Sequence, residues 1–187
     1  MKLFELVNQR KTKESVSQIT QFVGNNKEYF QELVGFFIEG NTQTSHTFSY
    51  AIIELVENNP NLLYSYHQKF IELLEDPSTP DGVRRNIARL YQTFIIPETI
   101  EGKLYDISIK LIINPKVAIA IKAYSMSVCE RIALKYPDLN QELQYAIEST
   151  LPHASAGVKN RGLKILRRIQ KKCPEYQGIL IFLRIKS

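Results

Sequence analysis

Gly82-Val83-Arg84 combines a small, an apolar and a basic residue, and the pattern recurs twice in this 187-residue chain. It returns as Ala120-Ile121-Lys122 and again as Gly157-Val158-Lys159. The basic residues are 38 and then 37 residues apart, from 84 to 122 and from 122 to 159. A nearly constant period between about 20 and 50 residues is typical of a solenoid, in which one supersecondary unit stacks on copies of itself. The motif therefore predicts a repeat architecture.

Two series of prolines keep the same period, one inside the units and one at their ends. They are Pro77, Pro115 and Pro152 in the first series, and Pro60, Pro97, Pro137 and Pro174 in the second. Proline lacks the N–H of an interior helical hydrogen bond and biases the preceding residue away from helix, so it suits such boundaries. The prolines predict one domain, 1–187, made of four hairpins and a capping segment: 25–60, 61–97, 98–137, 138–174 and 175–187.

Apolar residues at helical spacing support the same division. From Asp81 onward they fall at Val83, Ile87, Leu90, Tyr91 and Phe94, which is one face of an α-helix. Similar stripes begin near Phe48, after Lys116 and after Ser155. Each is preceded by another amphipathic segment, and a further helix leads the chain near Lys13–Val23. The preceding segments are Lys27–Ile38, Leu62–Leu74, Glu98–Ile113 and Leu139–Thr150. No long run alternates with period two, so we expect an all-α protein.

The pattern resembles the HEAT-repeat family, whose α-solenoids are built from hairpins of about 40 residues; armadillo-like is the second name that fits. The resemblance covers roughly Asn25 to Lys172. It rests on the turn prolines and on the basic residue near the start of each second helix: Pro77, Pro115, Pro152, Arg84, Lys122 and Lys159. The acidic residue that this family often places before the apolar-basic pair is present only as Asp81. The resemblance implies a right-handed α-α superhelix of about four hairpins, whose second helices line a concave, macromolecule-binding surface.

Composition and cysteine usage are those of an ordinary globular protein, with 44% apolar and 23% charged residues. The segment Met1–Lys13 has no apolar signal-peptide core, and no run approaches the roughly 18 apolar residues of a membrane span. We interpret the apolar run Ile179–Leu183 as the start of a last helix or strand that closes the solenoid. Cys129 and Cys173 form no disulfide framework, so we expect both to be reduced in the cytoplasm.

Positive charge is concentrated near the C-terminal end. Residues 1–154 carry 15 Lys and Arg against 18 Asp and Glu, whereas residues 155–187 carry 9 against 1. At about 100° per residue, five of these bases cover about 120° of a helix surface, opposite its apolar stripe. The five bases are Arg161, Lys164, Arg167, Arg168 and Lys171. Such a face suits an anionic partner, although a face that is simply solvated has the same pattern.

Aligned repeats extend the basic set onto other second helices. The columns of Lys159, Asn160 and Lys164 hold Arg84, Arg85 and Arg89 in one helix, and Lys122, Ala123 and Ser127 in the next. On a concave surface they would form a partial basic stripe, which is what phosphate backbones bind. The basic residues of the motif itself, Arg84, Lys122 and Lys159, also have a structural interpretation. At this position a basic side chain would connect adjacent helices by binding a carbonyl or a carboxylate. The candidate partner- or polyanion-binding residues are Arg84, Arg85, Arg89, Lys122, Lys159, Arg161, Lys164, Arg167, Arg168 and Lys171.

Enzymatic functions find little support in the sequence. His46, His67 and His153 lie in different repeats, and none shares a short metal-binding motif with a cysteine. The chain has no G-x-S-x-G motif and no Gly-rich phosphate loop. HEAT-like alkylpurine DNA glycosylases resemble the chain in architecture, but their cleft depends on tryptophan, and this chain has none. Tyr91 and Tyr124 on the second helices are candidate substitutes for stacking, but Tyr91 belongs to an apolar stripe. We expect no catalysis, no metal and no cofactor.

Two functions of different classes remain. We prefer a scaffold that binds a protein along the solenoid, because the net charge is only +5 and residues 1–154 are slightly acidic. The alternative is binding of nucleic acid or another polyanion through the basic C-terminal helix and the concave face. Phosphate contacts weaken steeply with salt, whereas apolar contacts do not. We expect no membrane partner.

Overall fold

The computed structural model describes Leu3, residues 12–39 and residues 42–172. Nine α-helices and three 3-10 helices form the regular structure of residues 12–39 and 42–172, which include no β-strand. The α-helices are α1 (Lys13–Val23), α2 (Lys27–Glu39), α3 (Thr42–Asn58), α4 (His67–Glu75), α5 (Asp81–Leu90), α6 (Glu98–Ile113), α7 (Ile119–Lys135), α8 (Asn140–Thr150) and α9 (Ala156–Lys172). The 3-10 helices are Pro60–Tyr66, Pro137–Leu139 and Leu151–His153. The predicted all-α class is confirmed.

Most helices begin and end where the periodicity predicts. Helices α1 and α6 have the predicted bounds, and α2 and α8 differ from them by one residue. The single helix predicted over Leu62–Leu74 is instead the 3-10 helix Pro60–Tyr66 followed by α4. Pro60 has no N–H to donate, and the first turn closes on a bond from the Leu62 N–H to the Asn59 carbonyl, three residues back (3.1 Å).

The apolar stripe of α5 continues beyond the C-terminal end of the helix. The helix ends at Leu90, because the N–H groups of Gln92 and Thr93 bond carbonyls three residues back and tighten the last turn. The Phe94 N–H then bonds the Leu90 carbonyl (3.0 Å), so the backbone keeps turning. Tyr91 and Phe94 consequently stay buried, as their place in the stripe predicts.

The chain divides into two compact units between Lys103 and Leu104, inside α6. In the first unit α1 and α2 pack on α3, while α3 and α4 both pack on α5. Its core includes several aromatic rings, of which five are at most 1% exposed: Phe30, Phe37, Phe48, Phe70 and Tyr91. Each of these rings buries a large apolar area, and aliphatic side chains fill the rest of the core.

The second unit has an aliphatic core. Helices α7, α8 and α9 all pack against one another. Ile121, Ile147 and Ile165 are fully buried among them. The Tyr105 hydroxyl of α6 donates to the Leu139 carbonyl just before α8 (2.8 Å), which fixes the C-terminal part of α6 against the start of α8.

Some predictions fall on residues that the structure does not describe. These are the capping segment 175–187 with the run Ile179–Leu183, the boundary Pro174, and Cys173. The single domain, the hairpin boundaries and the right-handed superhelix stay predictions. Within residues 12–39 and 42–172, no helix is both long enough and apolar enough to cross a membrane.

Candidate functional site

Arg84 of α5 lies inside the first unit. Its side chain is buried, and its Nε donates to the Leu74 carbonyl of α4 (3.1 Å), with the Asp81 carboxylate 3.8 Å away. Leu74 belongs to the last turn of α4, whose carbonyls have no partner within their own helix. A basic side chain is suited to this position because it satisfies such a carbonyl and interacts favourably with the C-terminal end of the helix dipole.

Arg89, one turn further along α5, ties this helix to α3. Its Nη2 donates to the Ser49 hydroxyl (2.6 Å), and its guanidinium lies 3.9 Å above the centre of the Tyr50 ring. The Ser49 hydroxyl donates its proton to the His46 carbonyl (2.7 Å), and its oxygen accepts the hydrogen bond from Arg89. Arg85 between them is partly exposed. The first unit therefore holds two of its three predicted basic site residues in packing contacts.

An arginine–serine hydrogen bond also connects α7 and α9 in the second unit. Arg161 Nη1 donates to the Ser127 hydroxyl (2.5 Å), and Ser127 donates to the Ala123 carbonyl one turn back in α7. The repeat alignment pairs Arg89 with Lys164, but the residue that forms the corresponding contact is Arg161.

Arg168 adds a second connection between α9 and α7. Its Nε and Nη2 donate to the two carboxylate oxygens of Glu130, at 2.5 and 2.8 Å. These hydrogen bonds raise the pKa of the Arg168 guanidinium. A bidentate pair has the best geometry available to an ion pair, and it leaves this arginine electrically neutralised.

The other bases of α9 face solvent. Lys159, Lys164, Arg167 and Lys171 are exposed and form no ion pair within the part of the chain that the structure describes. Lys164, Arg167 and Lys171 fall within about 60° of each other at 100° per residue, opposite the buried Ile165 and its stripe. We call these three residues the outer basic face. Because α9 contains no Asp or Glu, nothing within the helix neutralises this face.

Lys122 on α7 is separate from the outer basic face. It is partly buried in a small cavity of about 240 Å³ beside Val117 and His153, and burial lowers the pKa of its ammonium group. The predicted stripe from Arg84 to Lys159 combines residues of both units and stays a prediction.

A groove that the sequence analysis missed lies beside the outer basic face. It has a volume of about 320 Å³, and we call it the end groove. Its apolar lining consists of Ala133, Leu134, Pro137 and Ile169. Leu134 is 54% exposed and lies outside the stripe that buries Val128 and Ile132. An apolar residue out of phase with the apolar stripe of its own helix was therefore the sequence signal that could have revealed the groove. Asn140, Lys171 and the Glu130–Arg168 pair also line the groove.

Cys129 and His67, two side chains of types that enzymes use for catalysis, are buried in the core. Burial raises the pKa of the Cys129 thiol, so it is protonated, and its Sγ lies 3.9 Å from the Tyr105 carbonyl. Burial lowers the pKa of His67, whose Nδ1 is 3.1 Å from the Tyr91 hydroxyl. The described residues contain no cluster of three or more His, Cys, Asp or Glu able to hold a metal ion.

A family model described as HEAT repeat domain matches residues 4–169. The chain belongs to the HEAT-repeat family. No curated protein and no solved structure was found to match it. HEAT repeats generally act as non-catalytic scaffolds for protein interactions.

Membership in the HEAT-repeat family gives Arg84 a simple interpretation. Arg84, near the start of the second helix of its repeat, donates to a carbonyl at the end of the preceding helix, so it has a structural role. In this HEAT-repeat protein, the candidate bases that are exposed and form no ion pair among the described residues lie on α9: Lys159, Lys164, Arg167 and Lys171.

Proposed function

We propose that this HEAT-repeat protein is a non-catalytic scaffold that binds another protein. The observation that carries the proposal is the end groove, an apolar cavity with the half-exposed Leu134 at its edge. Apolar surface that is buried against a partner contributes roughly 25 cal/mol per Å², and grooves with a polar rim are typical binding sites. The usual role of HEAT repeats supports the same function.

The proposal includes the absence of catalysis and a cytoplasmic location. The family's general role supports the first. The free and buried Cys129 supports the second, because a reduced thiol is stable in a reducing compartment.

Direct partner binding tests the function. Nuclease-treated lysate of the native cells is passed over the immobilised protein, whose fold is checked by circular dichroism. Each captured protein is then purified and titrated by calorimetry. We expect at least one direct partner with a Kd in the micromolar range or tighter, which corresponds to about −8 kcal/mol or better. If no captured protein binds directly, the scaffold function is wrong.

A polyanion-binding function is the second candidate, favoured by the outer basic face and Lys159. In the first unit Arg84 is buried and Arg89 is engaged with Ser49, so two of the three candidate bases of that unit are already used in packing. Four free cations on α9 predict a slope of log affinity against log salt no steeper than about −4 for duplex DNA. Fluorescence anisotropy with duplex and single-stranded DNA and RNA measures it. Absence of binding at about 50 mM salt, where phosphate contacts are strong, excludes this candidate.

A further inference from the structure

We infer that the end groove and the outer basic face together bind an acidic peptide segment of a partner protein, with one apolar side chain of that segment in the groove. This inference rests on the proposed scaffold function and names its partner class and its site. Both surfaces lie in the second unit, and Lys171 belongs to both of them.

The end groove requires an apolar anchor. Its volume of about 320 Å³ is sufficient for one large aliphatic or aromatic side chain. Leu134, Pro137 and Ile169 offer such a side chain contacts on several sides. Large apolar side chains in pockets contribute most of the affinity at many protein interfaces.

The outer basic face requires carboxylates near that anchor. Lys164, Arg167 and Lys171 lie on one side of α9 at spacings of three, four and seven residues, so they extend about 10 Å along the helix. An extended peptide covers that distance with about three residues. A partner segment with acidic residues within about three positions of its anchor therefore matches both surfaces.

The groove distinguishes a peptide from a nucleic acid. The Glu130 carboxylate lines the groove and is already neutralised by Arg168. A phosphate at that place would lose its hydration against an apolar wall and lie near a carboxylate, whereas an apolar side chain gains from contact with Leu134, Pro137 and Ile169. The charge beside the groove is positive, since the free Lys171 adds to the neutral Glu130–Arg168 pair.

The test uses two short labelled peptides that are rich in glutamate and identical except at one central position, phenylalanine in one and serine in the other. Anisotropy at about 50 and 150 mM salt measures their affinities for the full chain. We expect the phenylalanine peptide to bind about tenfold more tightly, because burial of a large side chain contributes about that much. Both affinities should fall with salt.

Variants locate the site. Leu134→Ser should weaken the phenylalanine peptide about tenfold and leave the serine peptide unchanged. Replacing Lys164, Arg167 and Lys171 by glutamine should weaken both peptides and flatten their salt dependence. Two controls should match the wild type: Tyr145→Ser, at a 74% exposed position outside the groove, and glutamine at the exposed Lys69 and Lys116. Thermal unfolding confirms that each variant folds.

Four results would overturn the inference. They are equal affinity for the two peptides, an unchanged affinity in Leu134→Ser, tighter binding of a DNA oligonucleotide than of either peptide, and tighter peptide binding in Phe182→Ser. Tighter binding of the DNA oligonucleotide favours the polyanion function. Tighter peptide binding in Phe182→Ser assigns the groove to the chain's own apolar run, Ile179–Leu183. If a captured partner binds wild-type protein and Leu134→Ser equally well, this inference fails while the scaffold function stands.

Discussion

Helix α5 of the first unit and helix α9 of the second are both basic and amphipathic, but their charges have different surroundings. In α5 the Arg84 side chain is buried against the end of α4, and Arg89 binds Ser49 and Tyr50 of α3. In α9 two arginines, Arg161 and Arg168, contact α7, and the outer basic face remains in solvent. The first helix thus uses most of its charge for packing, and the second retains a charged surface.

This difference shows that a basic helix is not by itself a binding site. An arginine that satisfies a buried carbonyl contributes to folding, and its removal affects stability. An exposed lysine without an ion pair contributes little to folding stability. Its removal should therefore change the binding of a partner or have no measurable effect. Substitutions in the two helices should therefore separate stability from binding.

The largest expected effect is that of Arg84→Ala. The substitution leaves the Leu74 carbonyl without its donor and removes the buried part of the side chain, so the free energy of unfolding should fall by about 2–3 kcal/mol. Urea denaturation followed by circular dichroism measures it. Arg85→Ala in α5 and Arg167→Ala in α9 are matched controls and should stay within about 0.5 kcal/mol of wild type. An equal loss in Arg167→Ala would remove the distinction between the two helices.

The next largest effect concerns the packing of α9. A Cβ at Gly162 would lie 2.8 Å from Ile147 Cγ2 and 3.2 Å from Leu151 Cδ2. Gly162→Ala should therefore destabilise the protein by about 1–2 kcal/mol, because overpacking exceeds the gain in helix propensity.

Gly157→Ala in the same helix is the control, because nothing lies within 4 Å of a Cβ there. This variant should be stabilised by up to about 0.5–1 kcal/mol. Thermal unfolding of the two variants side by side checks the prediction, and a stable Gly162→Ala protein would show that α8 and α9 are not in close contact.

A smaller, pH-dependent effect is expected from the buried His67 in the first unit. Burial lowers the pKa of this imidazole in the folded protein, whereas in the unfolded chain it is about 6.5. Below that pH the unfolded chain binds more protons, so His67 reduces stability as the pH falls from about 6.5 towards the folded pKa. The loss is at most about 1.4 kcal/mol per pH unit.

His67→Gln can still bond the Tyr91 hydroxyl but does not titrate, so its free energy of unfolding should be less dependent on pH between about 7.5 and 5.5. Urea denaturation at several pH values provides the measurement. His153→Gln, at an exposed position of the second unit, should keep the wild-type slope. Identical slopes for all three proteins would refute the assignment to His67.

The smallest expected effect is the coupling between Arg168 and Glu130. Arg168 is half exposed, so a double-mutant cycle with Arg168→Gln and Glu130→Gln should give about 0.5–1 kcal/mol at low salt. The value should decrease in about 1 M salt. A coupling of zero at low salt would mean that Arg168 belongs with the solvent-facing bases.

Much of the fold follows from local rules. The bounds of α1 and α6 agree with the predicted ones because apolar periodicity and boundary prolines act within one helix. The segment before α4 was predicted less well, because periodicity does not separate a 3-10 turn after Pro60 from an α-helix. The end groove was missed because its lining comes from α7, α9 and the 3-10 helix between α7 and α8.

The sequence by itself determined the repeat period, the helical class, the family and the excess of bases on α9. Only the tertiary structure decided which bases of α5 and α9 are engaged and which are free. The partners that engage them are distant in sequence: Ser49 and Arg89 are 40 residues apart, Ser127 and Arg161 are 34, and Glu130 and Arg168 are 38. The periodicity of one helix shows which way its own side chains point, but the groups that meet them come from the preceding repeat.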